Sequence, residues 1–226
     1  MATLEIPPDL EDLCLARGDD VNPHRPLLTG DVIDSVEVPV LGADRQTVVL
    51  VAHPCSMRQG PALAPLLHVA PVANYGSEGD IVWKKHFRVM PLGELPGRQR
   101  PVALLDQVTL VPSSEINPAR RTFCASRVGI NLLRQRLVHH LTRVVVETWM
   151  FDQEGAGTYE EVDLMEGWIE AALDTGASLG DATDAFHTWV RSGEEGRTYQ
   201  DQLADPQAVP AVRRAARVEM RQRYGS

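Results

Sequence analysis

Two short stretches of the sequence combine side chains that could act on a phosphodiester. The first, HPCSMR, carries His53, Ser56 and Arg58 directly after a valine-rich run. The second, Trp83 to Arg88 (WKKHFR), interleaves aromatic and basic residues. Cleavage of RNA by its own 2′-hydroxyl needs a base for that proton, positive charge for the phosphate and an acid for the leaving oxygen. In the first stretch His53 could be the base and Ser56 a reactive hydroxyl, with Arg58 adding positive charge.

The first stretch also has simpler interpretations. It could be a proline-kinked connector in which Cys55 is buried. A Cys–His nucleophile pair is a weaker alternative, because no third group that would orient the histidine is evident. A metal site built from His53, Cys55 and His68 is weaker still. We therefore predict neither a metal nor a cofactor.

The second stretch could hold a nucleic-acid strand. If it is a β-strand, Lys84, His86 and Arg88 share one face, while Trp83, Lys85 and Phe87 lie on the other. Such a strip could contact a phosphate backbone and stack an unpaired base. The alternative is an edge strand protected by its charges, with both aromatic rings in the core. The predicted nucleic-acid-binding residues are Arg58, Lys84, Lys85, His86 and Arg88.

Alternating and β-branched runs predict the elements that carry these side chains. Five strands are predicted between Gly30 and Val111, with proline or glycine in the links. Because no helix intervenes, an antiparallel sheet closed into a barrel is favoured. One helix from about Val128 to Thr148 follows, with its apolar residues on one stripe. The predicted strands cover residues 30–40, 47–52, 66–72, 81–92 and 102–111.

The rest of the chain is predicted to be an arm and a helical appendage. Residues 1–29 form the arm, with a short helical stretch from Asp9 to Ala16. Residues 30–151 form the barrel and its helix, and residues 152–226 form the appendage. A linker is predicted at 152–158, before helices at 159–173, 181–190 and 209–223. The predicted fold class is therefore α+β.

The net charge of -9 is unevenly distributed along the chain. The balance of charged side chains is -1 over residues 1–151, -12 over 152–205 and +4 over 206–226. Binding to phosphate needs a local basic surface, and the first segment can provide one because the acidity belongs to the appendage. The acidic segment is either a solvated helical surface or a cover for an RNA groove, with its aromatic residues as anchors.

Cysteine usage and hydropathy bear on the cellular compartment. The three cysteines are widely spaced and odd in number, which fits a reducing environment rather than a disulfide framework. The first residues lack the basic and apolar regions of a signal peptide. No apolar run approaches the roughly 20 residues that span a bilayer. We therefore expect a cytoplasmic protein with no membrane partner.

Three motifs follow one another in an order that is typical of one protein family. They are GDVIDSVEV from Gly30, ADRQTVVLVA around Arg45, and PVALLDQVTLV followed by VGINLLRQRLVHHL. Over Gly30 to Leu141 the chain resembles the MazF/PemK family of bacterial toxins. The resemblance implies a small SH3-like antiparallel β-barrel with a closing helix, acting as an endoribonuclease. It also implies a homodimer that pairs through the barrel.

The resemblance assigns a role to Arg45 and reveals two departures. Arg45 stands where the family has an arginine that stabilises the scissile phosphate. Gln46 replaces the proline that follows it, and Val69 to Ala73 (VAPVA) lacks the hydroxyl residue expected in the active site. The catalytic motif is therefore degenerate.

Together these features predict an RNA-binding, toxin-like protein with metal-independent endoribonuclease activity. Its predicted catalytic residues are Arg45, His53 and Ser56, and its predicted partners are single-stranded RNA and another protein. The alternative is a non-catalytic interaction module that has kept the barrel and lost the site. A further alternative is an adaptor in a bacterial defence or stress system, whose appendage docks onto another component.

Overall fold

The chain forms two compact units. The computed structural model describes residues 3–39, 44–59, 62–76, 83–194 and 196–225. The first unit comprises Met1–Pro23 and Leu27–Asp152, and the second comprises His24–Pro26 and Gln153–Ser226. Residue 40 of one predicted strand and residues 81–82 of another lie outside the described residues.

The first unit is built on one large sheet. Its strand order is β1-β10-β2-β3-β6-β8-β7, and β9 also pairs with β6. Every pairing between these strands is antiparallel. A separate hairpin joins β4 (Arg58–Gln59) and β5 (Ala62–Leu63). The sheet strands are β1 Cys14–Arg17, β2 Val32–Glu37, β3 Arg45–Leu50, β6 Leu66–Asn74, β7 Val89–Pro91, β8 Pro101–Leu104, β9 Thr109–Pro112 and β10 Arg121–Ala125.

Strand β3 lies in the middle of this sheet, as its β-branched run predicts. It pairs with β2 on one side and with β6 on the other. Val48 and Leu50 point into the main apolar core, where they meet Ile33 of β2 and Val69 of β6. The other face of β3 is also covered, because Thr47 and Val49 are buried as well. The prediction of a central strand that is buried on both faces is confirmed.

The sheet is open, so the predicted closure into a barrel is not confirmed. Within the described residues its two ends are β1 and β7. Strand β1 comes from the arm, which was predicted to be helical at this point; only Leu10–Leu13 form a short 3-10 turn. Strand β10 was not predicted at all. It pairs with β2 on one side, and β1 occupies its other edge, which is therefore not available to close the sheet.

Two helices of the first unit come after strands of this sheet along the chain. The short helix α1 (Pro54–Met57) follows β3, and α2 (Arg127–Thr142) follows β10. Ser126 begins α2 by accepting a hydrogen bond from the Gly129 N–H, which is a standard N-cap. Arg143 ends α2 in the left-handed conformation, with φ of 64°. The helix therefore ends earlier than the predicted Thr148.

Helix α3 (Thr148–Asp174) runs through the predicted linker at 152–158. The glycines there are used for close packing rather than for a turn. A Cβ atom at Gly157 would lie 3.1 Å from the Ala204 Cα, so this position requires glycine for the backbones to approach. Helix propensity alone disfavours glycine here, and the contact outweighs that preference.

The second unit is a small helical assembly. With α3 it contains α4 (Leu179–Val190), α5 (Tyr199–Leu203) and α6 (Val209–Tyr224), plus a short hairpin of β11 (Gly193–Glu194) and β12 (Arg197–Thr198). The three helices predicted from composition, at 159–173, 181–190 and 209–223, are confirmed, although the first of them begins already at Thr148.

An aromatic cluster forms the core of the second unit. The Trp168 ring stacks on Trp189 at 5.3 Å between centroids, and Trp189 stacks on Tyr199 at 4.7 Å. Phe186 is fully buried beside them. These rings are therefore used inside the unit's own core rather than as exposed anchors. No helix in the described part of the chain is both long and apolar enough to cross a membrane.

Candidate functional site

Arg45 lies at the start of β3 with about half of its side chain exposed, at 52%. Its Nη1 donates a hydrogen bond to the Ser35 carbonyl at 2.7 Å and lies 3.8 Å from Glu115 Oε2. Arg120 donates to the same carbonyl at 3.3 Å. Ser35 is in the left-handed region with φ of 57°, at an irregularity in β2. The two arginines thus stabilise the irregular backbone at Ser35, and their side chains are still exposed to solvent.

His53 and Arg58 both make bonds to the main chain around α1. His53 is the N-cap residue of this helix, and its Nδ1 accepts a hydrogen bond from the Cys55 N–H at 3.2 Å. Arg58 Nη2 donates to the Leu27 carbonyl at 3.4 Å. Ser56 lies in the helix and is exposed, as is Cys55. This geometry agrees with the connector interpretation, except that Cys55 is not buried.

The structure does not bring Arg45 together with His53 and Ser56. Arg45 is the first residue of β3, and His53 follows after the six-residue strand has ended. At about 3.3 Å per residue, the strand alone separates them by roughly 17 Å. One phosphodiester cannot contact both ends of this strand at once. The three predicted catalytic residues therefore do not form a single site.

The stretch from Trp83 to Arg88 is not a strand. Residues 83–85 form a helical turn, and β7 begins only at Val89. The predicted alternation of faces is therefore wrong for this stretch. Trp83 is buried, as the edge-strand alternative expected, but Phe87 is 37% exposed and does not belong to the core.

A buried arginine from α2 determines the conformation of this stretch. The guanidinium of Arg136 donates to the carbonyls of Trp83 at 2.5 Å, His86 at 3.2 Å and Val89 at 2.9 Å. It also lies over the Trp83 ring, 4.6 Å from the centroid. A planar donor group can reach several carbonyls at once, which a single amine cannot do as well. The carbonyls converge on one point, so the chain bends around Arg136.

The bend creates a basic pocket of about 310 Å³ at the surface of the first unit. We call it the basic pocket; its lining residues are Tyr75, Lys85, His86, Phe87, Arg88, Val89 and Arg143. Three of the predicted nucleic-acid-binding residues thus meet here: Lys85, His86 and Arg88. Lys84 lines a neighbouring recess with Trp83 and Phe87, and Arg58 does not line the basic pocket.

Two of the lining residues could not be assigned from the sequence. Tyr75 follows the end of β6, and its hydroxyl forms a hydrogen bond of 2.7 Å with His86 Nδ1. Arg143 is the residue that ends α2. The sequence around Arg143 gives only a weak signal for the end of a helix. It gives no signal that Arg143 lies near residues 85–88.

The electrostatics of the basic pocket favour an anion. Lys85, Arg88 and Arg143 are all exposed, and no carboxylate lines the pocket among the residues that the structure describes. Beneath it, burial lowers the pKa of Arg136 to about 10. This guanidinium therefore keeps its charge at neutral pH and adds to the positive field.

A second polar cluster lies on β3, and its central hydroxyl, that of Thr47, is buried. The Thr47 hydroxyl donates to Asp34 Oδ1 at 2.5 Å and accepts a hydrogen bond from Arg98, whose Nη1 also donates to the Val72 carbonyl at 3.4 Å. Thr47 is only 5% exposed. The cluster therefore attaches the loop that contains Arg98 to the sheet. It also places the Thr47 hydroxyl next to β6, whose segment Val69 to Ala73 lacks the hydroxyl residue expected from the family resemblance.

A metal site is not evident from the described residues, since no group of three or more His, Cys, Asp or Glu side chains there is arranged to hold an ion.

In comparisons with known proteins, no family model matches the chain, and no curated protein matches it either. Function is therefore inferred from the geometry of the basic pocket.

Proposed function

We propose that this protein binds single-stranded RNA through the basic pocket. The observation that carries this proposal is the convergence of three exposed cations with the rings of Tyr75, His86 and Phe87 around one recess. Cations that follow a backbone, combined with aromatic faces that stack bases, are the usual features of single-strand binding sites.

The size of the basic pocket suits single-stranded RNA better than a duplex. Its volume of about 310 Å³ lies at the small end of the range of about 300–1,000 Å³ for ligand pockets. A recess of this size suits a splayed-out nucleotide, since unpaired RNA can turn its bases away from the backbone. A rigid duplex would meet only the rim.

The resemblance to the MazF/PemK toxins supports the same ligand. That family acts on RNA, and the similar motifs lie between Gly30 and Leu141. An SH3-like barrel of that type, pairing of two copies and a cytoplasmic location remain part of this proposal. The endoribonuclease activity is not assigned to Arg45, His53 and Ser56 as one site, because they lie at opposite ends of β3.

One observation favours the alternative, a non-catalytic interaction module or adaptor. Four large apolar side chains near the end of α2 and the start of α3 are at least 49% exposed: Leu141, Val144, Trp149 and Met150. Exposed apolar residues that cluster in sequence are typical of surfaces that dock another protein. Both functions can coexist, because these residues do not line the basic pocket.

Fluorescence anisotropy with a labelled, unstructured RNA 12-mer, in EDTA and at several salt concentrations, tests RNA binding. We expect Arg88→Ala to weaken binding and to reduce the salt slope by about 0.7, the value for one contact with a single strand. Phe87→Leu should weaken binding by about 10-fold and leave the slope unchanged, since stacking contributes about 1–3 kcal/mol per base.

Arg214 provides the matched control. It is an exposed arginine on α6 that does not line the basic pocket, so Arg214→Ala should bind RNA like the wild type. Equal losses in Arg88→Ala and Arg214→Ala would indicate a diffuse charge effect and contradict the proposed site. If the wild type shows no RNA binding at 50 mM salt, the interaction module becomes the better interpretation.

A further inference from the structure

We propose that the basic pocket also cleaves the RNA that it binds, with His86 as the general base and Tyr75 as the residue that positions it. This inference rests on the proposed RNA binding and goes beyond it. It moves the chemistry away from Arg45, His53 and Ser56 to a different part of the first unit.

The pair is held in a defined geometry. The hydrogen bond between the Tyr75 hydroxyl and His86 Nδ1 is 2.7 Å long, and the two rings meet edge to face with centroids 5.6 Å apart. His86 is half-buried, so its ring is restrained while one side remains accessible from the pocket.

The main chain on both sides of the pair is anchored as well. The Tyr75 N–H donates to the Arg100 carbonyl at 3.2 Å, and the His86 carbonyl accepts from Arg136 at 3.2 Å. Catalytic groups need supporting contacts of this kind, because an error of about 1 Å in their position reduces the rate strongly. The pair therefore has the support that a reactive group requires.

The hydrogen bond to Tyr75 occupies Nδ1 and leaves Nε2 as the imidazole nitrogen that can meet a substrate. When Nδ1 carries the proton and donates it to the Tyr75 oxygen, Nε2 has a free lone pair. The second nitrogen of a histidine that is held in this way is the one that can take a proton from a substrate. Tyr75 thus acts through His86 and does not need to touch the RNA.

The reaction needs no metal and no other reactant. His86 Nε2 takes the proton of the ribose 2′-hydroxyl, and the 2′-oxygen attacks the adjacent phosphorus. The bond between phosphorus and the 5′-oxygen breaks, and the Lys85 ammonium donates a proton to the leaving oxygen. The products are a 2′,3′-cyclic phosphate and a 5′-hydroxyl. A solvent proton returns to Lys85 as His86 releases its own.

Two guanidinium groups stabilise the negative charge that develops on the phosphate. Arg88 and Arg143 line the same pocket, and their fork-shaped donor groups match the phosphate oxygens. Donors that are in place before the reaction contribute more to the rate than donors that must move. The pocket thus combines a base, an acid and stabilising charge.

The test uses the whole 226-residue chain in EDTA and a labelled DNA oligonucleotide with one ribonucleotide in its centre. Cleavage can then occur at one bond only, and mass spectrometry identifies the cyclic phosphate. We expect His86→Ala to lower the cleavage rate at least 100-fold, the scale for losing a general base. Added imidazole should restore part of that activity. Tyr75→Phe should lower kcat about 10-fold with little change in KM.

Further variants keep the experiment decisive. His86→Asn retains an amide near the Nδ1 position and lacks a base, so it should fold and should not cleave the oligonucleotide even at protein concentrations that saturate binding. Cleavage by His86→Asn at the wild-type rate would overturn the inference. Loss of cleavage in Arg45→Ala with full activity in His86→Ala would also overturn it and return the chemistry to β3.

The same samples separate the two proposals. Wild-type protein that binds the oligonucleotide by anisotropy but leaves it intact contradicts the cleavage mechanism and leaves RNA binding standing. Wild-type protein that binds neither this oligonucleotide nor the RNA 12-mer, and cleaves neither, contradicts both.

Discussion

Replacement of Arg136 by methionine should disorder the basic pocket while changing the overall stability only slightly. Methionine has a similar length and is apolar, so the core around α2 stays filled. The change removes the donors for two buried carbonyls, those of Trp83 and Val89. Each unsatisfied buried carbonyl costs about 1–3 kcal/mol.

An opposing contribution offsets this loss. Burial lowers the pKa of Arg136 to about 10, and this shift corresponds to a penalty of about 3 kcal/mol for keeping the charge inside the protein. Removing the charge relieves that penalty. The two contributions largely cancel, so we expect the free energy of unfolding to change by no more than about 3 kcal/mol.

The local effect should be much larger than the global one. Without Arg136, the carbonyls of residues 83, 86 and 89 no longer share a donor, and the bend at the pocket loses its anchor. We expect amides of residues 84–88 to exchange with deuterium at least 10-fold faster, with little change in the amides of β3. RNA affinity should fall by about 10-fold or more, because an ordered site must now be formed on binding.

Hydrogen exchange read by mass spectrometry and urea unfolding together test this prediction. Arg134→Met is the matched control, since Arg134 lies on the same helix and contacts Phe151 rather than the pocket. Unchanged exchange at residues 84–88 in Arg136→Met would refute the anchoring role. A loss of more than about 4 kcal/mol in unfolding free energy would refute the expected cancellation.

Two further predictions concern stability, and urea unfolding measures both. Asp31→Asn should lower the free energy of unfolding by about 3–5 kcal/mol, because it leaves the fully buried Arg121 without its ion-pair partner at 2.8 Å; a change below 1 kcal/mol would contradict this. Gly167→Ala should stabilise α3 by up to about 1 kcal/mol, since nothing lies within 4 Å of the added Cβ. Gly157→Ala should instead destabilise it by about 1–3 kcal/mol, because that Cβ meets the Ala204 backbone, and equal effects would refute the close packing.

Several elements follow from local sequence because their signals are local. The β-branched run at 47–50 forms a central strand, since branched side chains fit a pleated surface that is covered on both sides. The helix predicted from the composition of residues 209–223 is α6, with nearly the predicted limits. The α+β class and the antiparallel pairing follow from the same patterns.

The edges of the sheet could not be predicted in this way. Strand β10 begins with Arg121, a poor candidate for an interior position. It is stable there because Asp31, 90 residues earlier in the chain, neutralises its charge in the core. Strand β1 in turn pairs with β10 across more than 100 residues. Pairings of that range carry no local signal, so the open sheet was not anticipated.

The candidate site shows the same division. The sequence by itself determined which chemical groups are present from Lys85 to Arg88, and hence the expectation of a nucleic-acid ligand. Tertiary structure alone decided that these residues form a bend and not a strand, because three of the carbonyls in this region bond to Arg136, about 50 residues away. It also decided that His86 meets Tyr75. A residue's type is written in the chain, but its partner depends on which distant segments pack together.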